Sequence, residues 1–301
     1  MTTSAQPWRG VHVATALPLH DDLSVDYDAY AEHVRFLAAA GCDGVTPNGS
    51  LGEYQTLTPE ERARVVETAV QAAPAGFGVM PGVAAYGALE ARRWAEQAAA
   101  AGATSVLLLP PNAYRADRRA VVAHYREVAR AGLPVVAYNN PIDTKVDLTP
   151  ALLAELFGEG LVVGVKEFTG DVRRAYEISE LAPGLDLLVG ADDVLLELGI
   201  AGAVGWIAGY PNAIPESTVE LYRLVTSGDP ADIAKAVPIY RDLHPLLRWD
   251  SRTEFVQAIK LSMDACGRKG GACRPPRLPL PDDVAARITS DTEAVLAKGY
   301  K

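Results

Sequence analysis

Eight short β-branched runs alternate with longer segments rich in alanine and glutamate along this chain. Each run has the continuous apolar character of a strand buried on both faces, and the segments between the runs have the length of helices. The runs are Val11–Leu17, Asp43–Pro47, Phe77–Pro81, Ser105–Leu109, Pro134–Asn139, Leu161–Lys166, Asp186–Gly190 and Ala203–Ile207. Eight strand–helix repeats without a linker predict an α/β fold, a (β/α)8 TIM barrel with additional C-terminal helices. A doubly wound open sheet is the alternative.

The segments between the runs carry start and stop signals of helices. Val25–Ala40 has apolar residues at spacings of three and four, which is typical of an amphipathic helix. Thr58 begins a capping box with proline at the first helical position, and Thr149 precedes a proline in the same way. Glycines that follow alanine-rich segments are predicted to end helices. These glycines are Gly41, Gly102 and Gly132.

After Ile207 the pattern becomes wholly helical. The predicted helices are Asn212–Ser227, Ala231–Leu247, Ser251–Cys266 and Asp282–Lys298. A barrel needs only one closing helix, so the others are expected to pack on the barrel exterior or on another subunit. We therefore expect residues 1–210 to form the barrel and residues 211–301 to form the closing helix and a helical extension, within one continuous structural unit.

Composition excludes several classes of function. The formal charge is −10, from 28 basic and 38 acidic residues. The sequence contains no block of basic residues, which argues against nucleic acid as a partner. The three cysteines lack the spacing of a metal site or a disulfide framework, which favours a reducing compartment. Met1–Gly10 has no apolar segment of the kind that signal peptides carry, and no apolar run is long enough to span a membrane. No GxGxxG motif follows the first run, which argues against a dinucleotide-binding site. We expect a cytoplasmic protein with no membrane partner, no metal and no cofactor.

A lysine ends the sixth run. Desolvation at the end of a buried strand favours the neutral amine of Lys166, and a neutral amine attacks carbonyl carbon. Taken alone, Lys166 could also reach solvent or pair with Glu167 or Asp171. In a TIM barrel, however, catalytic residues lie at the carboxyl ends of the strands. The position of this lysine therefore favours Schiff-base chemistry.

Two further segments follow strands on the same rim. Tyr138 ends the fifth run, next to Lys166, and is a candidate proton shuttle whose pKa an adjacent ammonium would lower, although a tyrosine can also simply fill space there. The sequence from Gly49 to Glu53 is a glycine-flanked turn, and its backbone amides can bind a carboxylate. The alternative is an ordinary strand-to-helix turn that needs glycine for positive φ. The Ser50 hydroxyl can add a hydrogen bond or relay a proton. Glu53 is predicted to be structural, binding N–H groups of the loop.

Three motifs then carry a resemblance. They are Gly49-Ser50-Leu51-Gly52-Glu53, Tyr138-Asn139-Asn140-Pro141 and Gly164-Val165-Lys166-Glu167-Phe168-Thr169-Gly170. Together they resemble the dihydrodipicolinate synthase / N-acetylneuraminate lyase family of class I aldolases, over roughly Val11 to Pro279. The resemblance implies a homotetrameric barrel and a Schiff base with a 2-oxo acid, often pyruvate. It implies that Lys166 forms the Schiff base, that Tyr138 transfers protons, that Ser50 matches the first hydroxyl of the family turn, and that Ile207 offers a backbone carbonyl.

Departures from the family pattern bear on the substrate. Leu51 stands where the family turn usually has a second hydroxyl residue. Asp143 stands where dihydrodipicolinate synthases carry an arginine, and an acid repels the carboxylate of aspartate semialdehyde. Asn112 lies near the place of a tyrosine inserted from a neighbouring subunit, and Tyr114 is a shifted alternative. Asp192 and Trp206 are expected to line the remaining rim.

These residues predict a lyase acting on a 2-oxo acid, with Lys166, Tyr138 and Ser50 as catalytic residues. Substrate-binding residues are predicted at Gly49, Leu51, Ile207, Asn112 and Asp192. Retro-aldol cleavage that releases pyruvate, of the 2-keto-3-deoxy-sugar-acid or 4-hydroxy-2-oxoglutarate type, is favoured. The alternatives are a dehydratase or deaminase of 2-keto-3-deoxy sugar acids or pyrroline-4-hydroxy-2-carboxylate, dihydrodipicolinate synthase itself, and a non-catalytic barrel that binds a 2-oxo acid. Retention of both Lys166 and Tyr138 argues against the last.

Overall fold

Eight parallel strands close into a barrel in the computed structural model, which describes residues 6–301. The strands are β1 Gly10–Ala14, β2 Gly44–Thr46, β3 Gly78–Val79, β4 Val106–Leu108, β5 Val135–Asn139, β6 Gly164–Glu167, β7 Asp186–Val189 and β8 Gly205–Ala208. Neighbours pair in the order β3-β2-β1-β8-β7-β6-β5-β4. The two outer strands meet where Leu107 N donates to Pro81 O at 2.9 Å, beside a parallel bridge from Gly82 to Leu107. The predicted TIM barrel is confirmed.

Helices separate the strands and follow the last one. They are α1 Tyr27–Ala39, α2 Pro59–Ala72, α3 Ala88–Ala101, α4 Arg118–Ala129, α5 Pro141–Thr144, α6 Pro150–Gly158, α7 Arg173–Leu181, α8 Leu195–Ile200, α9 Pro215–Thr226, α10 Pro230–Leu247, α11 Phe255–Ala265 and α12 Asp282–Ala297. The predicted capping box is present, since the Thr58 side chain accepts from Glu61 N and the Glu61 carboxylate accepts from Thr58 N. Gly41, Gly102 and Gly132 all have positive φ, as expected of glycines that end helices.

Two elements differ from the predicted ones in ways that shape the site. The short helix α5 was not predicted; Pro141 begins it, and the Asn140 side chain caps it by accepting from Asp143 N. The helix predicted from Ser251 begins only at Phe255, because residues 251–254 form turns. This break leaves the segment from Asp250 to Thr253 at the wall of the barrel cavity.

The C-terminal extension, residues 211–301, packs on the barrel through one continuous apolar core. Leu243, Ile259 and Ile288 are buried in the same cluster as the residues between the barrel strands and their helices. A second cluster lies in the barrel interior and includes the fully buried Met80 and Leu188. Strand and extension residues therefore support each other.

No helix within residues 6–301 is long and apolar enough to cross a membrane. The prediction about a signal segment concerned Met1–Gly10, and residues 1–5 of that stretch lie outside the part that the structure describes.

Candidate active site

A cavity of about 400 Å³ opens at the carboxyl ends of the strands. Because parallel strands all end on this face, side chains from distant segments meet there. Seven of the eight predicted site residues contribute to its wall. They are Gly49, Ser50, Leu51, Asn112, Tyr138, Lys166 and Ile207.

Lys166 is buried in β6, with only 6% of its surface exposed. Its register partner on β5 is Tyr138, and its Nζ lies 4.5 Å from the centroid of the tyrosine ring. Neither alternative partner holds it, because Glu167 pairs with Arg174 and Asp171 pairs with Arg173. Burial lowers the pKa of Lys166, a change that the charges of Asp250 and Asp192 oppose. The amine is therefore more easily deprotonated than an ordinary lysine, as Schiff-base formation requires.

Tyr138 is buried, and its hydroxyl accepts a hydrogen bond from Asn140 Nδ2 at 3.3 Å. Burial raises the pKa of its phenol, and the charges of Asp250 and Asp143 raise it further. The prediction that Lys166 lowers this pKa is wrong, because desolvation dominates. A phenol that stays protonated can pass a proton on only while it receives another.

The turn after β2, which we call the β2 turn (Gly49–Glu53), approaches the cavity with its backbone. Asn48, just before it, has a positive φ of 55°. The hydroxyl of Thr46, at the end of β2 and on the cavity wall, is buried and has no hydrogen-bond partner within the described residues. A hydroxyl in that position is available to a ligand. Sequence reasoning missed Thr46, although its place at a strand end was visible.

Glu53 ends the β2 turn and faces away from the cavity wall. Its Oε1 accepts from Lys260 Nζ at 2.9 Å, and its Oε2 accepts from the backbone N of Arg274 at 2.8 Å. Both carboxylate and ammonium are almost fully buried. These contacts agree with a structural role for Glu53, but its partners belong to the C-terminal extension and not to the N–H groups of the loop that we predicted.

Polar residues surround the mouth of the cavity. Asn140 Nδ2 donates to Asp143 Oδ2 at 2.8 Å, which holds this carboxylate on the cavity wall. Asn112 and Tyr54 also line the wall. Tyr114 is 59% exposed and lies outside the cavity lining.

Asp192 and Trp206 lie behind the wall rather than on it. Asp192 is fully buried, and its carboxylate accepts from Trp206 Nε1 at 3.0 Å and from Tyr210 N at 2.8 Å. Trp206 points outward because side chains alternate along β8, and its neighbour Ile207 points into the barrel. The expectation that Trp206 forms a wall of the site is wrong. The contacts of Asp192 indicate that it holds the loop after β8, in place of the predicted contact with substrate.

Sequence reasoning missed the part of the wall that the C-terminal extension supplies. Asp250 is 7% exposed and lines the cavity together with Arg252 and Arg277. Burial raises the pKa of Asp250 to about 6, and the charge of Lys166 opposes that increase. No strand precedes these residues, so their pattern alone did not indicate a site. Within residues 6–301, no group of three or more His, Cys, Asp or Glu is arranged to hold a metal ion.

Comparisons with known proteins agree with this geometry. The model of the dihydrodipicolinate synthetase family matches residues 7–295. A 4-hydroxy-tetrahydrodipicolinate synthase from Methanothrix thermoacetophila is 32% identical over 93% of this chain and 95% of its own length. A protein named uncharacterized DapA-like lyase, from Rhizobium meliloti, is 30% identical over 94% and 95%. The structure of YagE from Escherichia coli K12, in complex with pyruvate, has 26% identity and a TM-score of 0.88 over 96% of this chain and 99% of its own. The chain therefore belongs to the dihydrodipicolinate synthetase family and is a lyase of the class I aldolase type.

Proposed function

We propose that this enzyme cleaves a hydroxylated 2-oxo acid by a retro-aldol reaction and releases pyruvate. The observation that carries the proposal is the buried amine of Lys166, which lines the cavity 4.5 Å from the centroid of the Tyr138 ring. An amine of lowered pKa forms an iminium with a 2-oxo acid, and that cation accepts the electrons of an adjacent breaking bond.

The residues around the amine supply the remaining steps. The substrate carboxylate binds the backbone amides of the β2 turn, with the Ser50 and Thr46 hydroxyls beside it. Lys166 attacks C2, and water leaves to give the iminium. As the C3–C4 bond breaks, Tyr138 accepts the proton of the C4 hydroxyl and passes its own phenolic proton to the Ser50 hydroxyl, which passes a proton on in turn, and the electrons of that bond form an enamine. The same relay, run in reverse, returns a proton to the enamine carbon, and hydrolysis of the resulting imine releases pyruvate and restores the lysine.

The mouth of the cavity favours a substrate with hydroxyl groups over aspartate semialdehyde. Asp143 can accept hydrogen bonds from hydroxyls and repels a carboxylate in the same place. The Asn112 side chain can both donate and accept hydrogen bonds. Arg252 and Arg277 provide positive charge further out on the wall. This combination fits a polyhydroxylated chain or one that ends in a second acid group, as in 2-keto-3-deoxy sugar acids and 4-hydroxy-2-oxoglutarate.

Elimination from the same iminium is the second candidate. The carboxyl group of Asp250 on the cavity wall favours it, because loss of a hydroxyl or an amine needs a proton donor. A dehydratase of 2-keto-3-deoxy sugar acids or a deaminase of pyrroline-4-hydroxy-2-carboxylate would use that donor. A homotetramer also belongs to the proposal, and light scattering of the purified protein measures it directly.

Two measurements test the proposed function. Incubation with pyruvate and borohydride should add one reduced pyruvate to Lys166, located by peptide mass spectrometry, and the Lys166→Arg variant should gain nothing. A label on another residue, or none, would refute the Schiff base. A substrate panel then separates the candidates, because cleavage yields pyruvate whereas elimination yields ammonia or a 2-oxo semialdehyde product.

A further inference from the structure

We propose that Asp250 is a second acid–base group of this active site, which accepts a proton from the Lys166 ammonium and returns it to the hydroxyl that leaves C2 as water. The inference rests on the proposed Schiff-base function. It concerns how the iminium forms rather than which bond of the substrate is then broken.

The Asp250 carboxylate lies at the cavity because the segment after α10 passes close to the segment after β8. Asp250 follows the end of α10, and its Oδ2 accepts from the backbone N of Asp192 at 3.4 Å. Gly209, just after β8, leaves the room for it: a Cβ there would lie 2.5 Å from Asp250 Oδ1. Asp250, Gly209 and Lys166 all line the same cavity. A side chain at position 209 would force the Asp250 carboxylate to shift from its place between the extension and the barrel.

Charged and titratable groups face Asp250 from each neighbouring strand end. These groups are Lys166, Asp192, Asp193, Tyr138 and Tyr210. Asp192 is satisfied by three N–H donors, whereas Asp250 has one long hydrogen bond and faces the cavity. Asp250 is therefore the member of this pair of carboxyl groups that can exchange a proton with bound substrate.

Protons and electrons balance over the step. The ammonium of Lys166 gives one proton to the Asp250 carboxylate, and the freed lone pair forms the N–C2 bond as the C2–O π bond breaks. A second proton passes from nitrogen to the C2 oxygen, through Tyr138. The Asp250 carboxyl then protonates the C2 hydroxyl, which leaves as water while the nitrogen lone pair forms the C=N bond. Asp250 begins and ends as a carboxylate.

Exchange of the C2 oxygen of pyruvate with ¹⁸O-labelled water measures this step without any cleavage substrate. Mass spectrometry follows the exchange between pH 5 and 8, with Lys166→Arg as the background. In the native enzyme the rate should fall below about pH 6, where Asp250 becomes protonated. Asp250→Asn, which keeps the shape, should exchange about 10²-fold more slowly at pH 7.5 and lose that fall. Asp186→Asn is the matched control, because Asp186 is also buried but lies at the start of β7, at the other end of the barrel.

The outcomes separate the proposals. Two results would overturn the role of Asp250. One is an exchange rate of Asp250→Asn within about threefold of the native rate, and the other is an equal loss of rate at every pH that leaves the native pH profile unchanged. If Asp250→Asn does not fold, Gly209→Ala moves the carboxylate without removing its charge. Its exchange should then fall at least about tenfold, and an unchanged rate would equally overturn the proposal. No exchange by the native enzyme, together with no borohydride label, would refute the Schiff-base function itself.

Discussion

The buried ion pair between Glu53 and Lys260 links the β2 turn to the C-terminal extension, and its loss should be costly. The Lys260 and Glu53 side chains are 1% and 2% exposed, and Nζ to Oε1 is 2.9 Å. Lys260→Met would leave the Glu53 carboxylate buried without its charged partner, while the backbone N of Arg274 still donates to it. Breaking one side of such a pair typically destabilises a protein by about 3–5 kcal/mol. For a protein of this size that corresponds to a fall in melting temperature of roughly 5–8 °C.

A double-mutant cycle identifies the cause. Replacing Glu53 by glutamine in the Lys260→Met background removes the uncompensated charge, so the double variant should recover most of the loss, to within about 2 kcal/mol of the native protein. Chemical denaturation of all four proteins gives the coupling energy, and circular dichroism checks that each is folded. A Lys260→Met variant that loses under about 1 kcal/mol, or single effects that simply add, would contradict the reasoning. Because the β2 turn is the predicted carboxylate site, the affinity for pyruvate should fall in Lys260→Met as well.

Three further predictions follow from the buried titratable groups. Tyr138→Phe should keep its fold and lower turnover by about 10²–10⁴-fold, and a native turnover number would exclude its role in proton transfer. Lys166→Met should raise thermal stability at neutral pH, because burial lowers the pKa of Lys166 and the unfolded chain binds its proton more tightly. That gain should shrink as pH rises toward 10.5, and melting curves at pH 7 and pH 10 measure it; a variant no more stable than the native protein would contradict it. Burial lowers the pKa values of three histidines from 6.5 to about 4; they are His12, His33 and His124. The folded protein should therefore lose stability as the pH falls from 6.5 to 4, because the unfolded chain binds these protons more tightly. The expected loss in the free energy of unfolding is about 3 kcal/mol for each histidine. His124→Leu should flatten that acid dependence in denaturation curves, and an unchanged slope would count against the assignment.

The juxtaposition of Lys166 and Tyr138 was predictable because its signals are local. A buried run that ends in lysine and a neighbouring run that ends in tyrosine are both visible in a single stretch of sequence. Parallel pairing then sets Tyr138 opposite Lys166 without further information. The wrong expectation for Trp206 came from one step of register: side chains alternate, so Ile207 faces the cavity and its neighbour faces the outer core.

The direction of the Tyr138 pKa shift was wrong for a different reason. Sequence reasoning placed a charge beside the phenol but could not weigh how much water the fold removes. In the structure the phenol is buried and the cavity already holds carboxyl groups, so both effects act in the same direction. The balance between desolvation and charge depends on the complete environment of a side chain, which no short motif contains.

The C-terminal extension decides more of the site than its helical pattern suggested. It supplies Asp250 beside the amine, Arg252 and Arg277 at the mouth, and Lys260 behind the β2 turn. None of these residues directly follows a strand. Asp250 and Arg252 reach the site because the helix predicted from Ser251 begins four residues later, and Arg277 reaches it because the chain returns to the barrel after α11. The barrel strands thus hold the amine and the phenol that any Schiff-base reaction of this kind needs. Because Arg252 and Arg277 line the cavity from outside the strands, substitutions at these two positions should alter the choice of substrate while leaving the formation of the pyruvate adduct on Lys166 possible.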